Sequence, residues 1–221
     1  MRSATTVTML VLSCIFSLAA QLGERRIDFE NDEVGQLPRF FTPAVTNDRK
    51  EGKWVVEEVE GAPSGKRVLA QRDAGDDADR MALCLYDSEK IADVDVEAQL
   101  NLLDGKTDQA AGVVARCIDR NNYYVACADA KAGNVRLFAV VQGKPTQIGS
   151  QPVAVDAKNW HKLRLVVTGR HFQVYFNDVM LFELDDDAHR DGGQIGVWTK
   201  GDAIARFDDL VTKPAQKAEK K

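Results

Sequence analysis

Cysteine, histidine and net positive charge are all scarce in this 221-residue chain, and each scarcity removes a class of chemistry. The four cysteines are Cys14, Cys84, Cys117 and Cys127, and none belongs to a Cys-x-x-Cys or Cys/His pattern, so zinc binding and thiol redox exchange have no support. His161, His171 and His189 stand in separate segments without an adjacent serine or cysteine nucleophile, and no catalytic triad is indicated. A formal net charge of -5 supplies no basic field for nucleic acid. Helical periodicity longer than about two turns is also missing. Past Ala20 there is no apolar run long enough to span a bilayer.

The long apolar run that does exist stands at the start. Met1 to Ala20 carries one arginine and then "VTMLVLSCIFSLAA" with small residues at its end, the pattern of an export leader and not of a membrane span. Ser17 and Ala19 suit cleavage after Ala19, and cleavage after Ala20 fits nearly as well. The expected mature protein is a soluble, secreted or periplasmic single domain over residues 21–212, with a polar tail over residues 213–221. Loss of Cys14 leaves an odd number of thiols, so at most one disulfide forms. If a hairpin turns on Asp119 to Asn122, Cys117 faces Tyr124 and Cys127 faces Val114. Alternation then puts the two sulfurs on opposite faces, and the cysteines read as small buried hydrophobes.

What the chain has in quantity is short runs rich in valine, leucine and phenylalanine, each closed by Gly, Asn or Asp. Strands are expected at 53–58, 66–71, 80–86, 93–102, 111–118, 123–129, 134–141, 145–149, 160–168, 171–177, 179–184, 193–199 and 203–212. Residues 29–44 read as an extended, proline-containing lead-in, and "DAGDDAD" (73–79) as an acidic loop. In "DVDVEAQL", Val94, Val96, Ala98 and Leu100 point one way while Asp93, Asp95, Glu97 and Gln99 point the other, which gives one dry and one wet sheet face. Leu163, Leu165 and Val167, with Phe172, Val174 and Phe176 across a turn, belong to the dry side, and Arg164, Gln173 and Tyr175 look outward. Regular short strands with turn signals give an all-β, two-sheet antiparallel sandwich.

"WHKLRLVVTGRHFQVYFNDVMLFEL", "GGQIGVWTKGDAIARFDDLVT" and the Asp-x-x-Asn-Tyr-Tyr hairpin resemble the concanavalin A-like lectin/glucanase jelly roll, particularly bacterial 3-keto-disaccharide hydrolase-like and laminin G-like domains. The resemblance covers residues 27–212 and implies a jelly-roll sandwich whose partner is carbohydrate, as an enzyme, a binding or adhesion module, or an envelope scaffold. The chain departs from the hydrolase-like group where "DQAAGVVAR" replaces an Asn-Ser-Gly-Ile-type segment.

Asp93, Asp95 and Glu97 form the sharpest catalytic candidate, because carboxylates at i, i+2 and i+4 on one strand face resemble the acidic strand of family 16 glucanases. Retaining hydrolysis needs two carboxyl groups about 5 to 5.5 Å apart, and same-face positions lie about 6.6 Å apart along a strand. Here Asp93 stands where that family has a glutamate nucleophile, so its shorter side chain retreats from in-line attack. The alternative is a solvated strand face. Arg116 and Tyr123, placed on one face by the simple hairpin register, are the ligand-binding candidates: a guanidinium and a phenol hydrogen-bond sugar hydroxyls and an aromatic plane stacks on a pyranose. The competing readings are an Arg-Tyr packing pair or an Arg116–Glu97 bridge. Trp54, Trp160 and Trp198 read as core or rim residues before sugar platforms. No cofactor is required; a structural calcium ion is the one ion the pattern suggests. By resemblance to calcium-stabilised jelly rolls, Asp28, Glu30, Asn31 and Asp208 would hold it where the termini pair.

Overall fold

The computed structural model describes residues 23–215, so the expected leader (1–20) and the last six residues of the expected tail lie outside the described part. Fifteen strands follow in order: β1 (Arg25–Ile27), β2 (Phe41–Val45), β3 (Trp54–Glu58), β4 (Arg67–Gln71), β5 (Met81–Ile91), β6 (Val94–Asp104), β7 (Ala110–Asp119), β8 (Asn122–Asp129), β9 (Asn134–Val141), β10 (Lys144–Pro152), β11 (Trp160–Thr168), β12 (His171–Phe176), β13 (Val179–Asp185), β14 (Gly193–Lys200) and β15 (Ile204–Pro214). Among the described residues no helix is long and apolar enough to cross a membrane. Every run expected to be a strand is one. β2 arises from the lead-in, where Pro43 is tolerated because β2 is a sheet edge. The last strand runs past the expected domain end, with Lys213 paired to Asp95.

The strands form two antiparallel sheets. One is ordered β13-β12-β11-β6-β15-β4-β3 with β1 added on β15, and the other β10-β9-β8-β7-β14-β5-β2. Consecutive hairpins supply β11-β12-β13 and β7-β8-β9-β10, while long crossovers place β6 between β11 and β15 and place β14 between β5 and β7. This is a jelly-roll sandwich. Two hairpin turns show their local cause: Asn177 and Asp178, and likewise Gln142 and Gly143, take positive φ at both central positions, as a two-residue turn with the strand twist requires.

The core between the sheets carries the residues that alternation assigned to it, including Val94, Val96, Ala98 and Leu100 of β6, Leu163, Leu165 and Val167 of β11, and Val113, Ala115, Tyr124, Ala126 and Ala128 of the β7–β8 hairpin. A second apolar cluster, containing Met81, Leu83, Val114, Tyr123, Val125, Cys127 and Trp198, covers the outer face of the seven-stranded sheet. That face is closed because the chain leaving β2 lies across it. Thr46 Oγ1 donates to Arg120 O (3.0 Å) and bonds the Tyr123 hydroxyl (2.7 Å), and Asn47 ties to Asn121 Oδ1 (2.8 Å) and Gly143 O (3.2 Å) at the two hairpin tips.

The simple hairpin register fails at one place. Ala115 pairs with Tyr124, but the next pair toward the turn is Asp119 with Asn122, so β7 carries extra residues in a bulge where Arg116 has φ of 50°. The bulge reverses the faces expected beyond it. Arg116 turns inward, so it and Tyr123 do not share a face, and Cys117 joins Cys127 on the outer face. All three described cysteines are free thiols, although Cys117 and Cys127 share the outer face instead of the opposite faces that alternation predicts.

Candidate functional site

The outer face of the eight-stranded sheet is the polar one, and β6 runs through its middle. Cross-strand pairing sets up rungs: Trp160, Asn101 and Arg206 from β11, β6 and β15, then Lys162 beside Gln99, then Arg164, Glu97 and Val211. Asp95 is only 6% exposed and is gripped bidentately by Arg164, with Nε to Oδ1 at 2.7 Å and Nη2 to Oδ2 at 2.5 Å. Arg164 also stacks over Tyr175 at 5.0 Å, and its ion pair with Asp95 raises its pKa further. Glu97 lies 4.0 Å from Arg164 Nε. Asp93 stands just before β6, accepts the Gly169 N–H at 2.8 Å and lies 3.6 Å from Arg116 Nη2. The acidic set is thus divided: Asp93 secures a hairpin, Asp95 is neutralised, and Glu97 faces a cavity.

The first rung forms the wall of a groove of about 470 Å³. Trp160 is half-buried there, Lys158 and Glu60 stand at its mouth, and Leu103 gives it an apolar patch. Asn101 is 5% exposed; its Nδ2 donates to Lys158 O at 2.9 Å, and its Oδ1 is buried with no protein partner. Arg206 is aligned by an ion pair with Glu57. An aromatic plane beside a guanidinium, an ammonium and a carboxylate suits polyhydroxylated ligands. A smaller polar hollow of about 120 Å³ lies further along β6, lined by Arg26, Glu97, Gln99, Lys162 and Asp209.

The two ligand-binding candidates from the sequence lie elsewhere and are inaccessible. Arg116 is 1% exposed and donates to the carbonyls of Ala92 (2.7 Å), His189 (2.9 Å) and Gly169 (2.6 Å) while capping the Phe172 ring. Burial lowers its pKa. Tyr123 is fully buried in the outer cluster under Thr46, and burial raises its phenol pKa. Trp54 packs on Phe207 in the core and Trp198 is buried in the outer cluster, which leaves Trp160 as the rim tryptophan. The histidines remain apart: His161 stacks on Phe176, His189 bonds Val140 O, and His171 meets Asp185 and Glu183, which raise its pKa.

The four calcium candidates do not gather as one shell. Asp28 accepts the Glu30 N–H, Glu30 accepts from the Lys66 and Arg67 backbone, and Asp208 accepts from Ser64 and Asp209. Among the described residues no group of three or more acidic, histidine or cysteine side chains is placed to hold a metal ion. These carboxylates instead cap backbone donors where the β3–β4 turn meets the first residues and the last strand.

The sequence profile of the 3-keto-α-glucoside-1,2-lyase-like domain matches residues 41–213. The chain belongs to that family. Comparison with the curated proteins finds no matching sequence. Among solved structures, the carbohydrate-binding module CBM66 from Bacillus subtilis superposes with a TM-score of 0.64 at 21% identity, covering 82% of this chain and 99% of that one. Domain 4 of AbnA, an extracellular GH43 arabinanase from Geobacillus stearothermophilus in complex with arabinotriose, superposes with a TM-score of 0.58 at 12% identity over 87% and 94% of the two chains. At these identities the likeness establishes the jelly-roll fold. This member of the 3-keto-α-glucoside-1,2-lyase-like family thus shares its jelly-roll fold with those two domains, and its groove residues Asn101, Lys158 and Arg206 are ones that the sequence pattern did not single out.

Proposed function

We propose that this protein is an exported carbohydrate-binding domain that holds a glycan on the outer face of its eight-stranded sheet, in the groove beside Trp160. The observation that carries this reading is the half-buried Trp160 lining one groove with Lys158, Glu60 and Arg206 on the polar sheet face. A sugar ring face can cover the indole while its hydroxyls meet the polar groups of Lys158, Glu60 and Arg206 that line the same groove. The apolar leader over residues 1–20 supports export. The Arg164–Asp95 ion pair favours binding over hydrolysis, since it leaves the acidic strand without two free carboxyl groups side by side.

A catalytic reading is favoured by one observation, the Glu97 carboxylate lining the smaller hollow, and by the family's lyase-like description. A glycan array together with a product-release assay on glycans and on a 3-keto-α-glucoside separates the two. Binding without product release, lost at least tenfold (about 1.4 kcal/mol) in Trp160→Ala at a temperature where the variant remains folded, is the expected result. Product release that disappears in Glu97→Gln while binding persists would establish the enzyme instead.

A further inference from the structure

Resting on that reading, we infer that the groove takes a linear oligosaccharide laid along β6, with Lys162 and Gln99 as a second binding station beyond Trp160. Both hollows lie on one strand. Asn101 belongs to the larger, Gln99 and Glu97 to the smaller, and successive outward residues of β6 therefore pass from one to the other without leaving the sheet face. From Asn101 to Glu97 the strand advances about 13 Å at about 3.3 Å per residue, longer than one sugar ring.

The chemistry changes along this path in a way that fits a chain better than a single end unit. The first station offers an aromatic plane, an amide and a guanidinium; the second offers the Lys162 ammonium, the Gln99 amide and the Glu97 carboxylate, with almost no apolar surface. A sugar stacked on Trp160 would set the direction, and the next units would meet donors and acceptors in alternation. The wall of the second station is built by β15. Its register shifts between Asp208 and Val211, Asp209 takes φ of 48°, and Arg26 Nε bonds Asp209 Oδ1 at 2.8 Å, so the bulge lifts this pair beside Gln99. Lys162 is oriented from the opposite side by Asp178 at 2.6 Å.

Calorimetric titration with malto-, cello- and arabino-oligosaccharides of one to six units tests this. The expected result is that, in at least one series, affinity rises about tenfold or more between one and four units and then levels, each tenfold being about 1.4 kcal/mol. The gain should collapse in Lys162→Ala and in Gln99→Ala, each checked for an unchanged melting temperature. Affinity independent of length, sensitive to Trp160→Ala and indifferent to Lys162→Ala, would overturn the second station while leaving the carbohydrate-binding reading intact. No binding in any series would overturn both.

Discussion

Arg116 shows how much a single side chain can change role between sequence and fold. On a regular strand it would be a solvent-facing cation, but the bulge carries it into the end of the sandwich, where three backbone carbonyls from three different loops converge on its guanidinium. Arg116→Ala removes those donors and leaves buried carbonyls unpaired, so it should destabilise by about 3 to 5 kcal/mol, and Arg116→Lys should recover little because the planar fork is lost. Urea unfolding checks this; a loss below about 1 kcal/mol, the size of a surface effect, would contradict the capping role. Asp208 offers a second test. Burial holds its carboxyl up at about 6, above the usual 3.8. Between those two values the folded chain keeps a proton that the unfolded chain releases, so unfolding free energy from this group falls as pH rises through that window and stays lower above it. Asp208→Asn cannot ionise and keeps an acceptor for the Ser64 N–H. The stability difference between variant and wild type should therefore move in the variant's favour by about 2 kcal/mol from pH 4 to pH 7, measured by denaturant titration at each pH. A difference independent of pH would show that Asp208 titrates normally.

At the scale of strands, the decisive feature is the β7 bulge and the strand that accommodates it. A Cβ on Gly193 of β14 would stand 2.4 Å from the Arg116 carbonyl carbon and 2.5 Å from the Cys117 nitrogen, so the bulge and this glycine require one another. Gly193→Ala should cost about 2 kcal/mol or more, in the range of overpacked cores, and should raise amide exchange in β7, β8 and β14 before the remainder of the fold. Gly133→Ala, where a Cβ would meet nothing but φ is 62°, isolates the cost of backbone conformation alone. Exchange rates unchanged in the β7–β8 hairpin of Gly193→Ala would refute the coupling. The same pairing explains what sequence reasoning reads well and badly. Alternation along β6 sorts Val94, Val96 and Ala98 from Asp95 and Glu97 correctly because that strand is regular through those positions. It fails at Cys117 because the bulge is set by β14, some seventy residues away in the chain. It also fails to find the groove, since Trp160, Asn101 and Arg206 become neighbours only through long-range pairing of β11, β6 and β15.

For the whole molecule, the two sheets have different outer faces, and this asymmetry determines where a ligand fits. The outer face of the seven-stranded sheet is apolar and closed by Thr46 and Asn47, whereas that of the eight-stranded sheet is polar and hollowed at Trp160. The wet face anticipated from "DVDVEAQL" is thus the face with the cavities, although its acidic residues are partly neutralised by Arg164 and the aromatic contact comes from a strand that the motif does not contain. Chemical-shift mapping with the tightest-binding glycan of the array discriminates between the faces most directly. Binding in the groove requires the Trp160 indole N–H, the Asn101 side-chain amide and neighbouring β6 amides to shift together while the Trp198 indole and Tyr123 stay fixed; shifts centred on Trp198 and Tyr123, with Trp160 unmoved, would contradict it.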